Sequence, residues 1–362
     1  MNRRTFLQSV SAGAMLPAAD EAAETGMIGI GGRGSLLLHH ALSIPGVRIG
    51  HLCDIEPGAL DKALSTAARD RPKGYQDYRK LLEAASVDTV IIATPCHLHK
   101  EMILAALQAG KNVYCEKPMA LTPEDNRAIV EAAAKAKGIL QLGFQRRYSQ
   151  PTREMVGKFH NGEMGKVLFA RGQYYTPKDL PHRLPWKFKR ETFGDMIVEQ
   201  AVHQFDLYNW VFQGHPLRAC GFGGANYYVN DPPGRTIMDH YTISYEYPHG
   251  VHLNFSHIYY AIGDFARTSD TIIGAKGAAS LVLNRELLYY DREANKVVRQ
   301  APMNKDNDES THNALTDFFA CARRKQQPFA GAAVGRLAAL TVIMGLRAMV
   351  EGRVVEWKEV DL

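Results

Sequence analysis

Short apolar runs alternate with stretches of helical periodicity between residues 26 and 144. The runs that predict strands cover residues 27–30, 47–53, 87–93, 112–115 and 140–144. Strands that alternate with helices of about 10–15 residues are typical of βαβ units, in which neighbouring strands run parallel. We therefore predict an α/β fold whose first unit, residues 25–148, is a Rossmann-type domain.

The sequence changes character after Tyr148. Runs rich in aromatic and β-branched residues cover residues 167–175, 219–228, 240–247, 251–260 and 278–282. Turn-forming segments such as Asp231-Pro232-Pro233-Gly234 separate these runs, and a helix is predicted near residues 197–211. This pattern predicts a second, α+β domain over residues 149–311 with a largely antiparallel sheet. A helical segment and tail follow over residues 312–362.

The composition narrows the partners that this chain is expected to bind. Its 362 residues favour two domains over a single core, and the basic residues behind its net charge of +5 are scattered. A nucleic-acid binder usually carries a basic stripe, so nucleic acid is not expected as a partner. No apolar stretch reaches the roughly 18–20 uncharged residues of a membrane helix, which argues against a membrane partner. The five cysteines are dispersed without a C-x-x-C pair, so neither a disulfide framework nor a metal site is predicted.

The first 24 residues differ from the rest of the chain. Arg3-Arg4-Thr5-Phe6-Leu7 precedes an Ala-, Ser- and Gly-rich stretch, an arrangement that resembles a twin-arginine export signal. We predict export to the periplasm by this route, and the alternative is the ordinary N-terminus of a cytoplasmic protein. Because the twin-arginine route carries folded proteins, a preloaded cofactor and unpaired cysteines are both compatible with it.

The glycines of Gly29-x-Gly31-x-x-Gly34 leave the first predicted strand and open the first predicted helix. In a dinucleotide-binding turn, the first glycine permits the tight turn and the second lets the backbone approach the pyrophosphate. The third allows the helix to pack closely on the strand, and the pyrophosphate lies on the helix N-terminus. The motif predicts a nucleotide site, and the alternative is a glycine-rich turn without a ligand.

Asp54 ends the second predicted strand, twenty residues after Gly34. A carboxylate at this position accepts hydrogen bonds from the adenosine ribose, and its charge repels a 2′-phosphate. NAD is therefore the predicted cofactor, and NADP is less favoured. Arg33 is a competing signal, because a guanidinium at this position can reach a phosphate.

Two further segments follow strands of the first domain, at the edge where open α/β sheets bind ligands. One is Ala93-Thr94-Pro95-Cys96-His97-Leu98-His99, and the other contains Glu116-Lys117-Pro118. For His97 and His99, capping of the next helix and contact with the cofactor are equally open interpretations.

A third segment carries an acid and an imidazole in the second domain. Glu199 and His203 are four residues apart, so a helix would place them on one face, and Asp206 is three residues further on. A carboxylate beside an imidazole orients the ring and raises its basicity, which is a general-base arrangement. For Asp206 a structural role is the alternative.

These motifs, in this order, resemble the glucose–fructose oxidoreductase / inositol dehydrogenase / MocA (Gfo/Idh/MocA) family from about Gly26 to Trp357. The resemblance implies a Rossmann domain followed by a domain built on an open, mostly antiparallel sheet. It also implies hydride transfer between nicotinamide and a hydroxyl-bearing carbon of a sugar, glycoside or polyol. In this family Lys117 would polarise the substrate oxygen, His203 would take or return its proton, and the Lys117–Pro118 bond is often cis.

One position departs from the family pattern, which often has Asp four residues before the histidine. This chain has Glu199 there, so the carboxylate either orients His203 or contacts substrate from a different height. Two alternative functions remain: a redox-neutral glycosidase of the same fold that uses NAD, and a non-catalytic NAD-sensing or scaffold protein. Intact Lys117 and His203 favour the oxidoreductase.

The predicted site residues form three groups. The catalytic residues are Lys117, His203 and Glu199. The cofactor-binding residues are Gly29, Gly31, Gly32, Arg33, Gly34, Asp54, Thr94, Pro95, His99, Glu116 and Lys117. The candidates for substrate contact are Arg147, Tyr148, Trp186, Lys187 and Asp206.

Several of the substrate candidates have a second interpretation. Arg146 and Arg147 follow the fifth predicted strand and could line the cleft, but Arg147 could equally form an interdomain salt bridge. Core packing is the alternative for Trp186. We further expect a small carbohydrate or polyol substrate, tightly bound NAD, and a homodimer or homotetramer formed through the tyrosine-rich second sheet.

Overall fold

The computed structural model describes residues 23–177, 184–283, 285–302 and 307–362. The twin-arginine-like pattern at residues 3–7 lies outside these residues. The described chain forms two sheets, one in each predicted domain.

The first sheet is parallel and has the strand order β3-β2-β1-β4-β5-β6. Its strands are β1 (Ala23–Ile28), β2 (Val47–Cys53), β3 (Lys73–Tyr75), β4 (Thr89–Ile92), β5 (Asn112–Cys115) and β6 (Leu140–Leu142). The helices of this domain are α1 (Gly32–Ser43), α2 (Pro57–Thr66), α3 (Tyr78–Leu82), α4 (His99–Gln108) and α5 (Pro123–Lys135). This is the Rossmann strand order, and the order reverses between β1 and β4, where such sheets bind ligands. The predicted fold class is therefore confirmed.

The second sheet has nine strands in the order β14-β13-β12-β11-β7-β10-β9-β8-β15. They are β7 (Val167–Tyr175), β8 (Arg218–Gly224), β9 (His240–Tyr247), β10 (Val251–Ile258), β11 (Thr268–Gly274), β12 (Gly277–Val282), β13 (Glu286–Asp291), β14 (Lys296–Pro302) and β15 (Val355–Glu356). Only β7 and β10 pair in parallel, and the other neighbours are antiparallel. Burial alternates along β10, because one face of the sheet packs on the core and the other faces outward.

Helix α6 (Gln150–His160) lies between β6 and β7. In the described chain, α7 (Arg190–Phe193), α8 (Met196–Glu199) and α9 (Val202–Phe212) lie between β7 and β8. The prediction of one helix over residues 197–211 is wrong, because the helix is interrupted after Glu199. In a continuous helix the Glu199 carbonyl would accept from the N–H of His203. It accepts instead from Lys117 Nζ at 2.6 Å, and that contact comes from the other domain.

The strand predicted over residues 219–228 ends at Gly224. Asp239 accepts hydrogen bonds from the backbone N–H groups of Asn226, Tyr227 and Tyr228, at 3.2, 2.8 and 2.8 Å. These donors are therefore not available to a neighbouring strand, and the chain turns into a loop.

The final helical stretch is two helices, α10 (Asn307–Arg324) and α11 (Ala332–Glu351), rather than one. They separate where Lys325 adopts φ +52° and Pro328 follows. Helix α10 returns to the first domain, where Leu315, Phe318 and Phe319 pack in one buried cluster with residues of β2 and α1. The last part of the chain thus completes the core of the first domain.

Helix α11 is long and apolar enough to cross a membrane by length and composition, with a mean hydropathy of 1.6 in its most apolar stretch. It is largely buried within the protein. A Cβ at Gly335 would approach Leu142 and Met119 of the first domain, whereas a Cβ at Gly345 would approach Tyr245 of the second sheet. Helix α11 therefore packs as a core helix that touches both domains.

Candidate active site

The glycine-rich turn after β1 forms an open cradle at the N-terminus of α1. Gly29 has φ +82°, and a Cβ there would lie 2.8 Å from the Ala93 carbonyl, while a Cβ at Gly34 would lie 2.1 Å from the Gly29 oxygen. Nothing lies within 4 Å of a Cβ built on Gly31 or Gly32. The first and last glycines therefore allow tight packing, and the middle pair leaves the space that a pyrophosphate needs beside free N–H groups.

The Asp54 carboxylate is held against this cradle at the end of β2. Its Oδ2 accepts from Ile30 N at 2.6 Å, and its Oδ1 accepts from Glu56 N at 2.9 Å. Each carboxylate oxygen can accept a further hydrogen bond, and the side chain is half-buried. This arrangement fits the predicted contact with a ribose, which remains a prediction.

Arg33 and Glu116, both predicted to contact the cofactor, bind each other. Arg33 Nε donates to Glu116 Oε1 at 2.8 Å, and Arg33 Nη1 donates to Thr311 Oγ1 of α10 at 3.3 Å. Arg33 Nη2 is buried with no hydrogen-bond partner. The salt bridge ties the glycine-rich turn to the Glu-Lys-Pro segment.

Lys117 and Glu199 form the central ion pair of the site. Lys117 Nζ donates to Glu199 Oε1 at 2.6 Å, and only 13% and 19% of the two side chains are exposed. Burial alone would lower the pKa of Lys117, but the charge and hydrogen bond of Glu199 outweigh burial and raise it. The lysine is therefore held as an ammonium. The Lys117–Pro118 peptide bond is cis, as the resemblance implies.

His203 lies in the same site without the carboxylate partner that its spacing predicts. Its Nδ1 is buried with no hydrogen-bond partner, and its ring packs edge-on against Phe144 at 5.9 Å. Burial holds the pKa of His203 well below its ordinary value, and the charges of Lys117, Arg146 and Arg33 lower it further. The imidazole is therefore neutral at physiological pH, which is the form that accepts a proton.

Arg147 and Asp206 are paired with each other deep inside the protein. Arg147 Nε donates to both carboxylate oxygens of Asp206, at 3.1 and 2.8 Å, and its Nη2 donates to Oδ1 at 2.8 Å. The guanidinium also lies over the Trp210 ring at 4.9 Å. The predicted approach of Asp206 to His203 is not seen. This geometry favours the alternative interpretation, an interdomain salt bridge.

Tyr148 is likewise directed into the protein. Its hydroxyl donates to Asp317 of α10 at 3.1 Å, and the residue is 5% exposed. Arg147, Tyr148 and Asp206 therefore lie at the interface between the two domains. None of these three residues has an exposed polar group that could contact a substrate.

His99 ties two loops of the site together. Its Nδ1 lies 2.7 Å from the Pro118 carbonyl oxygen, and its Nε2 lies 3.0 Å from the Thr94 carbonyl oxygen. The ring is buried, whereas His97 is exposed. His99 thus positions the backbones of Thr94 and Pro118, and its predicted contact with the cofactor would act through those loops.

Trp186 and Lys187 lie in a segment that adjoins Lys117. Lys187 Nζ lies over the Trp186 ring at 4.9 Å. Burial and then Glu199 raise the pKa of the Cys96 thiol, while the charges of Lys117 and Lys187 lower it. The charges of both lysines thus act on the same thiol, and contact of Trp186 and Lys187 with a substrate stays a prediction.

Arg146, rather than Arg147, acts on the residues of the site. Tyr174 is a further residue near the site, and the sequence analysis missed it. Burial raises the pKa of Tyr174, and the charges that act on its hydroxyl are those of Arg146, Glu199 and Lys117. Tyr174 is the penultimate residue of β7, near the carboxyl end of the strand. The available signal was an aromatic residue at a strand end, which is too common to single out.

Asp195 is a second residue that the sequence analysis missed. It adopts φ +85° directly before α8, and its carboxylate accepts from Met196 N at 2.8 Å and from Arg190 Nε at 3.1 Å. A non-glycine residue in this conformation is held there by its surroundings. Asp195 thereby fixes the start of the short helix that presents Glu199. The Gly194-Asp195 pair before an apolar run was its signal.

As a whole, the site offers an ammonium, a neutral imidazole and an open anion cradle at one end of the parallel sheet. The ammonium can polarise a substrate oxygen, and the imidazole can take the proton from the attached hydroxyl. Such an arrangement suits proton-coupled chemistry at a carbon–oxygen bond.

Comparison with known proteins gives matches over both domains. Residues 23–144 match the family model described as "Oxidoreductase family, NAD-binding Rossmann fold", and residues 152–280 match the "GFO/IDH/MocA C-terminal domain". An inositol 2-dehydrogenase of Salmonella typhimurium is 33% identical over 191 residues, 52% of this chain and 54% of that protein. A glycosyl hydrolase family 109 protein of Shewanella sp. MR-4 is 33% identical over 225 residues, 60% of this chain and 46% of that protein. The chain thus spans about half the length of the curated relatives it matches.

Solved structures resemble the whole fold. A levoglucosan dehydrogenase in complex with NADH superposes with a TM-score of 0.82, covering 92% of this chain and 98% of that chain. At 20% sequence identity, this likeness establishes the shared fold and nothing finer.

Proposed function

The chain belongs to the Gfo/Idh/MocA oxidoreductase family, and from this premise we propose that it is an NAD-dependent dehydrogenase of a sugar, glycoside or polyol. The observation that carries the proposal is the buried Lys117–Glu199 pair with a neutral His203 in the same site. Lys117 directly follows Glu116, which binds Arg33 of the glycine-rich turn. A protein that only senses NAD needs neither a buried ammonium nor an unpartnered imidazole.

The residues divide the work between binding and proton transfer. NAD would lie on the Gly31–Gly32 cradle with its ribose at Asp54, and it supplies the two-electron chemistry that no side chain can supply. Lys117 donates a hydrogen bond to the substrate oxygen and stabilises negative charge on it. His203 accepts the hydroxyl proton during oxidation and returns it during reduction.

The substrate class follows from the names of the relatives. They include inositol 2-dehydrogenases and a 1,5-anhydro-D-fructose reductase, and the structural neighbours include levoglucosan dehydrogenase. All these names refer to small, hydroxyl-rich ring compounds. We expect NAD to be preferred over NADP, since the Asp54 carboxylate at the cradle repels a 2′-phosphate.

The test begins with the nucleotide. Purified protein is dialysed, denatured, and the released nucleotide is identified by mass spectrometry. A panel of inositols, hexoses, anhydrosugars and glycosides is then scored by nicotinamide absorbance with added NAD. Turnover of at least one compound is expected. Absence of both nucleotide binding and turnover across the panel would contradict the proposal and favour a scaffold function.

A redox-neutral glycosidase is the second candidate, because the family 109 relative matches 60% of this chain. Such an enzyme oxidises and re-reduces its substrate within one cycle, so it releases the aglycone without net change in nicotinamide absorbance. Aryl glycosides distinguish the two candidates, since release of the phenol with constant nicotinamide absorbance would identify the glycosidase.

We further propose that the protein is exported with its cofactor. The support is the Arg3-Arg4-Thr5-Phe6-Leu7 pattern. Outside the cytoplasm free NAD is not replenished, so we expect NAD to co-purify at about one per subunit. Fusion of residues 1–24 to a reporter that is active only after export tests the signal. A reporter retained in the cytoplasm would contradict it.

We also propose that the protein is a homodimer or homotetramer. Several strands of the second sheet carry exposed apolar side chains, including Phe222 of β8 at 81% and Val298 of β14 at 56% exposure. Exposed apolar surface of this kind is typical of protein interfaces. Sedimentation analysis of the purified protein measures the assembly, and a monomer at micromolar concentration would contradict the proposal.

A further inference from the structure

A buried carboxylate lies behind the cleft and belongs to none of the predicted motifs. Asp270, in the middle of β11, is 0% exposed, and its Oδ1 accepts a hydrogen bond from the Tyr208 hydroxyl of α9. Its Oδ2 has no hydrogen-bond partner and lies 3.6 Å from Arg146 Nη1, which also has none. The guanidinium is held by charge rather than by a formed hydrogen bond.

The sheet is shaped to allow this contact. Gly172 of β7 is the register partner of Asp270, and a Cβ at Gly172 would lie 2.0 Å from the Tyr208 hydroxyl oxygen. Any side chain at that position would displace the phenol. The absence of a side chain on β7 therefore lets Tyr208 reach across the strand to Asp270.

Arg146 connects the Asp270 carboxylate to His203, the proposed base. The His203 ring packs against Phe144, two residues before Arg146, at 5.9 Å between ring centres. The Arg146 charge is also among those that lower the pKa of His203. Only 12% of the Arg146 side chain is exposed, so water screens these interactions weakly. Whatever compensates the Arg146 charge also changes how readily His203 takes a proton.

We propose that Asp270, braced by Tyr208, is a positioning residue that holds Arg146 and, through Arg146, sets the proton affinity of His203. Ionised Asp270 compensates the guanidinium and keeps His203 basic enough to accept the substrate proton. Protonated Asp270 leaves the Arg146 charge uncompensated and makes His203 a weaker base. This inference rests on the proposed function, because it concerns the base of that reaction.

The surroundings of Asp270 make it the group that titrates. Burial raises its pKa to about 6, although Arg146 and the Tyr208 hydrogen bond oppose the rise. The neighbouring strands place Gly172 and Leu281 opposite it, and neither can carry a charge. Arg146 from the crossover and Tyr208 from α9 are thus the groups that face it.

The experiment compares the holoenzyme with Asp270→Asn and Tyr208→Phe, using the best substrate from the carbohydrate panel. The wild-type kcat/KM is expected to fall on the acid side with a midpoint near pH 6. Asp270→Asn removes this acid limb and lowers kcat/KM at pH 8 by about 3- to 10-fold, because His203 is a weaker base at every pH. Tyr208→Phe is expected to move the acid limb to higher pH, because the Asp270 carboxylate loses the hydrogen bond that lowers its pKa. Asp61→Asn on the exposed face of α2 is the matched control.

A second measurement does not depend on activity. A carboxyl whose pKa is raised by folding stabilises the protein below its unfolded pKa of about 4, and this contribution is lost as the pH rises through about 6. Asn cannot ionise, so Asp270→Asn does not lose this stability as the pH rises. Its Tm is therefore expected to rise relative to that of wild type between pH 4 and pH 7. A Tm difference that stays constant from pH 4 to pH 7 would show that Asp270 does not titrate in this range.

The outcomes separate the two proposals. If the wild type turns over a substrate and Asp270→Asn shows the same acid limb as the wild type, the role of Asp270 is overturned. The proposed function then still stands. A Tm difference that does not vary with pH overturns it as well, even where no substrate is found. Failure of the whole carbohydrate panel counts against the proposed function alone.

Discussion

Replacing Glu199 with Gln is expected to move the basic limb of the pH–rate profile. Lys117 Nζ donates to the side chain and to the backbone carbonyl of Glu199, both at 2.6 Å. The substitution keeps the volume of the side chain and the carbonyl contact but removes the negative charge. Lys117 therefore stays in place, and its ammonium loses the group that chiefly opposes burial.

The size of the change follows from the contact. An opposite charge within about 4–6 Å typically shifts a pKa by about 1–3 units, and Gln removes that charge while it keeps an oxygen that accepts from the ammonium. The lower end of this range, about one pH unit in a titration midpoint, corresponds to about 1.4 kcal/mol. Because the two side chains are 13% and 19% exposed, solvent reduces this only slightly. We expect the basic limb of Glu199→Gln to lie about one pH unit below that of wild type.

The assay measures kcat/KM from about pH 6 to pH 11 for wild type, Glu199→Gln and the control Glu131→Gln, which is exposed on α5. Superimposable basic limbs for wild type and Glu199→Gln would refute the assignment of the carboxylate to Lys117. A shift confined to the acid limb would show that Glu199 acts on His203, as the four-residue spacing alone predicted.

Four other substitutions test the remaining assignments. Lys117→Ala and His203→Ala are each expected to lower turnover by about 10²–10⁴-fold with little change in the Kd for NAD, and turnover within a few-fold of wild type would exclude the proposed roles. Asp54→Ala should weaken NAD binding and narrow the preference over NADP, because a ribose acceptor and a repelling charge are both lost. Calorimetric Kd values for the two nucleotides measure this, and an unmodified protein that prefers NADP would contradict it. Asp206→Ala leaves Arg147 as an unpaired buried cation, so the free energy of unfolding should fall by about 3–5 kcal/mol in a urea titration, and an unchanged midpoint would show that the pair is not structural.

Local signals were enough to predict the architecture. The sequence patterns that predict a βα unit each lie within a few residues: turn glycines, apolar runs and spacers of helical length. Every βα unit repeats these patterns. Two predicted elements that the structure shortens or divides have ends that depend on distant groups. β8 ends where the Asp239 carboxylate accepts hydrogen bonds from the backbone N–H groups that follow the strand. α8 ends where the Glu199 carbonyl accepts a hydrogen bond from Lys117 Nζ.

The candidate site was predictable as a set of residues but not as a set of contacts. Spacing suggested that Glu199 meets His203, yet the carboxylate pairs with a lysine of the other domain. Asp270 and Arg146 lie far apart in sequence, and no local pattern announces their approach. Contacts between the two sheets depend on how the domains meet, and a single sequence carries little direct information about that.

The return of α10 to the first domain determines when the protein can be completed during synthesis. The ribosome makes the parallel sheet first, but the cluster beneath β2 and α1 stays open until Leu315, Phe318 and Phe319 emerge. The Gln141 amide likewise waits for the Ala314 carbonyl, to which it donates at 2.8 Å. The domain that is translated first is therefore completed only after strands β7 to β14 of the second sheet have been made, and a nascent chain halted before α10 would expose an unfilled apolar slot to chaperones.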